Sequence, residues 1–99
     1  MRQSGMTRIA RRLSIHGRVQ GVYFRGWTVE TARGLGLAGW VRNRSDGALE
    51  AAVQGEDVAV ERFIALAGHG PPAARVERIE AVEVDLDESL TGFTQQPTT

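Results

Sequence analysis

Two residue periodicities alternate along this chain in the order strand, helix, strand, strand, helix, strand, and that order leaves few ways to fold it. From Arg12, Leu13, Ile15 and Gly17 fall on one face and Arg12, Ser14 and His16 on the other, a half-buried strand. From about Phe24 the spacing changes: Phe24, Thr28, Ala32 and Leu35 recur at helical intervals, and the run stops in "RGLGLAG". "AGWVRN" reads as a strand, "SDG" as a turn, and "ALEAAVQG" as a returning strand with Leu49, Ala51 and Val53 opposed to Glu50, Ala52 and Gln54. "EDVAVERFIALAG" puts Val60, Phe63, Ile64 and Ala67 on one stripe, with acids at its start and Gly68 behind it. After the loop "HGPPAAR", "VERIEAVEVDL" alternates Val82, Val84 and Leu86 against acids.

Two right-handed crossovers joined by a hairpin predict an α+β ferredoxin-like βαββαβ sandwich. Its four-stranded antiparallel sheet carries both helices on one face, and "GFTQQPTT" leaves room for a short fifth edge strand around Phe93. The polar, Gly-containing residues 1–8 are expected to be a disordered lead, and residues 9–99 a single domain. A chain of 99 residues can bury an ordinary core without staples.

The absence of cysteine excludes a disulfide framework, a thiolate zinc site and a cysteine nucleophile. No apolar run is long enough for a signal-peptide core or a membrane span, so a cytoplasmic protein that does not enter membranes is expected. Twelve basic and twelve acidic residues leave a formal net charge of 0, which offers no general attraction for nucleic acid or an anionic bilayer. RNA-recognition domains share this element order but stack bases on central-strand aromatics, and "ALEAAVQG" has none. Any anion must be held locally.

"GRVQGVYFRG", residues 17–26, offers such a place. The second helix opens with Glu56, Asp57 and Glu61, whose charges suit the positive end of a helix dipole. The first opens on Val22, Tyr23, Phe24, Arg25 and Gly26, with no Ser, Thr, Asp or Asn to cap it and a charge of the opposite sign. Free N–H groups, a dipole end, a close-approach glycine and a cation together suit phosphate. The plainer alternative is that Gly17 and Gly21 only shape a tight turn while Arg25 points into water. No Lys-Ser or Lys-Thr pair follows the glycines, so this is no nucleotide loop, and "GLGLAG" follows a helix where a dinucleotide fingerprint would precede one.

The strands flanking a crossover helix run parallel, so Asn43, ending "GWVRN", arrives at the same sheet edge as this loop. With one strand between them the backbones stand roughly 10 Å apart, room for a phosphate and a water. An amide there can hold a water, or simply begin the turn before Asp46 and Gly47; both readings stand open.

"GRVQGVYFR", "GWVRNRSDG", "VQG" after the third strand and "GPPAARVE" before the last resemble the acylphosphatase family, in this order and at these intervals, over about residues 9–94. The resemblance implies hydrolysis of small-molecule acyl phosphates, with no metal or phosphoenzyme; no cofactor is expected, and a monomer is the expected state. It implies that Arg25 binds the phosphate with loop amides of Gln20, Gly21, Val22, Tyr23 and Phe24, and that Asn43 orients the attacking water. A non-catalytic module of the same fold, binding a phosphorylated metabolite or partner, is the alternative. Two departures stand out: Ala48 replaces a hydroxyl residue that supports the asparagine in many relatives, and "FTQQP" replaces a more apolar ending.

His16 and His69 lack companion ligands and are expected to be structural or solvated. Arg42 and Arg44 either raise the potential beside Asn43 or are solvated. Trp27 and Trp40 could line the acyl side, with Trp40 better read as core shared between sheet and helix. Glu80, Glu83 and Asp85 are expected on a solvated face.

Overall fold

The structure, a computed structural model, describes residues 7–99. Its elements are β1 (Arg8–Arg18), α1 (Phe24–Gly34), β2 (Ala38–Asn43), β3 (Leu49–Glu56), α2 (Asp57–Ala67), β4 (Arg75–Val84) and β5 (Phe93–Gln95). The sheet order is β4-β1-β3-β2-β5. β1 pairs antiparallel with β3 and β4, β2 pairs antiparallel with β3, and β5 lies parallel to β2. The expected ferredoxin-like sandwich is present, with the fifth strand making its sheet mixed. Parallel β1 and β2 flank β3, as the crossover requires.

Folded structure begins before residue 9. Arg8 opens β1, and the Thr7 carbonyl accepts a hydrogen bond from the Asp57 N–H at 2.9 Å. The rest of the expected lead, residues 1–6, lies outside the described residues.

The helical stripes read from the sequence are the ones buried. Phe24 and Ala32 of α1 and Val60, Phe63 and Ala67 of α2 join Leu13, Ile15, Val41, Leu49, Ala51 and Val53 in one core cluster. Each large apolar side chain buried this way contributes about 1.5–3 kcal/mol. α1 stops in a Schellman turn: Gly36, at φ 72°, donates to Arg33 O at 3.1 Å, and Leu37 donates to Ala32 O at 2.9 Å. α2 has the expected acid in its first turn, Asp57, whose Oδ1 accepts the Val58 N–H at 2.7 Å. The Glu56 side chain at its N-cap makes no capping hydrogen bond, Gly68 stays right-handed, and Gly70 makes the left-handed turn.

The sheet corrects other expectations. Register places Ile79 opposite Ile15 on the helix side and Val82 opposite Arg12 on the open side, so Val82 and Val84 are exposed and Val76 and Ile79 pack inward. β4 is an edge strand, where an apolar alternation does not reveal which face meets the core. Trp40 also lies on the open side, its ring centroid 5.1 Å from the guanidinium carbon of Arg12 and 4.7 Å from that of Arg42, both paired to Glu50. Gln54, read as solvent-facing, is buried. Its amide donates to Asp87 O at 2.8 Å and accepts from Asp87 N–H at 2.9 Å, because the segment after β4 folds over this part of the sheet.

β5 forms despite its polar tail because Phe93 is buried and its carbonyl accepts two hydrogen bonds from Arg33, at 3.2 and 2.9 Å. The chain then follows β2: Gln96 N–H donates to Val41 O at 2.8 Å and Thr99 N–H to Asn43 O at 3.1 Å.

Candidate active site

At the end of β1 the chain must turn sharply into α1, and two residues make that turn left-handed. Gly21 has φ 74°, which glycine adopts without strain, and Tyr23, the N-cap, has φ 68°. Tyr23 is the sole non-glycine residue at positive φ among those described. A tyrosine there costs about 1–2 kcal/mol of backbone strain. Its phenol donates to Glu30 Oε2 at 2.5 Å, and its ring covers Gly26, where a Cβ would stand 2.2 Å from the ring edge. The strained turn is therefore held from the helix itself.

The helix start is as incomplete as its sequence suggested. No side chain caps α1 and no acid occupies its first turn. Among the described residues, the N–H groups of Gly21 to Gly26 donate to no other backbone or side-chain acceptor. Left-handed residues interleaved in a chain turn successive amides toward one concavity. Arg25, in the first helical turn, pairs with no carboxylate among the described residues, whereas Arg11, Arg12, Arg42, Arg44 and Arg78 all do.

Asn43 arrives from the other side. Its register opposite Leu49, with Val41 opposite Ala51, puts it on the helix-covered face at the last position of β2. Its Oδ1 is buried and has no partner among the described residues. Such an acceptor costs about 1–3 kcal/mol unless water or ligand satisfies it. Ala48, buried beside this strand end, has no hydroxyl to offer Asn43.

Arg25 and Asn43 line one cavity of about 140 Å³, together with Val19, Gly21, Tyr23, Phe24, Gly26 and Gln95. That is several times the ~30 Å³ share of one water. Of the loop positions, Gly21, Tyr23 and Phe24 line it directly. Val22 instead packs against the core, and the Gln20 side chain turns away to the β2–β3 hairpin, donating to Arg44 O at 2.8 Å and Ala48 O at 3.0 Å. Sequence reasoning missed Gln95, which comes from β5; nothing in its polar neighbourhood marks it. Neither tryptophan lines the cavity: Trp27 packs on Phe24 and Phe63, at centroid distances of 5.4 and 6.1 Å. Arg42 is held by Glu50 and Arg44 by Asp46, at 2.8 Å, and His16 pairs with Glu80 at 3.2 Å.

Among the described residues, an uncapped helix start, an arginine without a carboxylate partner and an unpartnered amide oxygen meet at one small cavity of a ferredoxin-like βαββαβ domain. The acylphosphatase family model matches residues 11–95, and the chain belongs to that family. It is 53% identical over 83 residues to an acylphosphatase of Rhodospirillum rubrum, covering 84% of this chain and 90% of that one. Among solved structures it resembles an acylphosphatase from Coxiella burnetii with a TM-score of 0.87 at 29% identity, covering 97% of this chain and 100% of that one. An acylphosphatase from Bacillus subtilis gives 0.86 at 34% identity, over 89% and 98%. Among the described residues no helix is long and apolar enough to cross a membrane.

Proposed function

We propose that this chain, acting as a cytoplasmic monomer, hydrolyses the carboxyl–phosphate bond of small acyl phosphates, giving a carboxylate and inorganic phosphate. The observation that carries this reading is the shared cavity of Arg25 and Asn43, with the Asn43 oxygen unpartnered among the described residues. Arg25 and the amides of the loop from Gln20 to Phe24 hold the phosphoryl oxygens and screen their charge. The Asn43 amide accepts a hydrogen bond from a water and aims its oxygen at phosphorus, opposite the leaving carboxylate.

Little else is needed, because an acyl phosphate is already activated. The departing carboxylate is stable without a proton, so the P–O bond breaks without a general acid. The water forms the new P–O bond, and its proton passes to a phosphate oxygen or to solvent. Positioning and electrostatic stabilisation supply the catalysis, with no phosphoenzyme and no metal.

The test is benzoyl phosphate hydrolysis in the presence of chelator by wild type, Arg25→Ala and Asn43→Ala, each verified as folded. Many turnovers by the wild type and near-loss in both variants are expected. An inert folded wild type would overturn the reading and leave a phosphate-binding module.

A further inference from the structure

The two halves of the candidate site come from chain segments that β3 keeps apart, and one side chain spans the gap. Gln20 leaves the phosphate loop, and its carboxamide nitrogen donates to both ends of the β2–β3 turn: Arg44 O at 2.8 Å and Ala48 O at 3.0 Å. The same carbonyls close the turn. Arg44 N–H donates to Ala48 O at 2.9 Å, and Gly47 N–H donates to Arg44 O at 3.1 Å. Asn43 is the residue immediately before this closed turn. From these contacts we infer that Gln20 is a positioning residue: its side chain sets the placement of the Asn43 amide relative to the phosphate loop, whatever its backbone contributes to phosphate.

The chemistry of the group suits the task. Two carbonyls on one side of a gap need a donor with two protons, and a neutral primary amide supplies both without bringing charge beside a phosphate. Both protons are used, so the carboxamide is fixed in direction as well as in place. This matters more here because Ala48 offers no hydroxyl and the Asn43 oxygen has no partner among the described residues. The orientation of Asn43 then depends on its backbone, and the turn that Gln20 clamps is one end of that backbone.

The inference rests on Asn43 aligning the water, and its test separates the two ideas. Gln20→Glu keeps the length but loses the donor, and Gln20→Met keeps the length without charge. Each is made in wild type and in Asn43→Ala, with folding checked by circular dichroism and thermal unfolding. Inorganic phosphate serves as the competitive probe of the loop. A misplaced water should lower kcat by about 10²-fold. In Gln20→Met, which adds no charge, phosphate inhibition should stay within about twofold, because Arg25 and the loop amides still meet the ion. On the Asn43→Ala background neither Gln20 variant should reduce kcat further, since groups acting as one unit are not additive.

Wild-type kcat in folded Gln20→Met, an equal loss of phosphate binding, or a loss that multiplies on the Asn43→Ala background would each overturn the positioning role. That result leaves the hydrolytic reading intact. Wild-type turnover by Asn43→Ala would overturn the water assignment and the positioning role together. If Gln20→Glu does not fold, Gln20→Met decides the matter alone.

Discussion

The phenol of Tyr23 and the carboxylate of Glu30, seven residues apart, meet at 2.5 Å over the first turns of α1, clamping a left-handed residue at the mouth of the β1–α1 loop. The hydrogen bond to Glu30, with smaller contributions from desolvation and the nearby charge, raises the Tyr23 pKa above its ordinary value. Tyr23 is the protein's only tyrosine, so absorbance titration at alkaline pH reports it alone. Glu30→Gln should bring the midpoint back toward about 10. By linkage, a raised folded pKa contributes stability that is present below the unfolded value and lost as pH rises through the folded one. The wild type should therefore lose more stability than Glu30→Gln across the tyrosine titration. Equal alkaline slopes would contradict the clamp.

Arg25 and Asn43 should fail differently. Removing Arg25 should cost on the order of 3–7 kcal/mol of transition-state stabilisation, by analogy with oxyanion donors and arginine fingers, and should abolish inhibition by phosphate. Asn43→Ala should lower kcat by about 10²–10³-fold while phosphate inhibition persists. Steady-state kinetics with inorganic phosphate as inhibitor separates the two patterns.

Asp46 ties the acid limb of stability to the turn beside Asn43. Its Oδ1 accepts the Ala48 N–H at 3.0 Å and its Oδ2 pairs with Arg44 at 2.8 Å. The Ala48 N–H above all, then the charge of Arg44, hold its carboxyl below the usual carboxylate range. A depressed folded pKa contributes stability that is present above about pH 3.9 and lost as pH falls through the folded value. Asp46→Asn keeps an acceptor for Ala48 and removes the titration. Urea midpoints between neutral and strongly acidic pH should fall less steeply in the variant than in wild type.

Gly39 fixes the pairing of β2 with β3. At φ 147° it lies so close to its partner that a Cβ would stand 1.8 Å from Ala52 O and 3.1 Å from the Phe93 ring. Backbone cannot swing aside as a surface side chain can, so Gly39→Ala should destabilise the fold by about 3 kcal/mol or more. Denaturant unfolding checks this, and the variant should lose activity in step with its folded fraction.

What could be read from the sequence was what depends on near neighbours along the chain. The stripes Phe24, Thr28, Ala32 and Val60, Phe63, Ala67 announce their helices because residues three and four apart share a face. The uncapped start at Tyr23 and Phe24 is equally local, since capping depends on a few adjacent residues. The order of elements then placed Arg25 and Asn43 at one sheet edge, because crossover handedness leaves little choice.

Only the tertiary structure decided which face of β4 meets the helices, why Trp40 meets two arginines on the open face, and how Gln54 comes to be buried. A period of two shows that the faces of a strand differ without saying which one is covered. It also decided the contacts of Gln95 and Gln20, short-range forces between residues far apart in sequence. Spacing determines a side chain's own turn or strand, but a partner 24 or 28 residues away, such as Arg44 or Ala48 for Gln20, exists only once the sheet has closed.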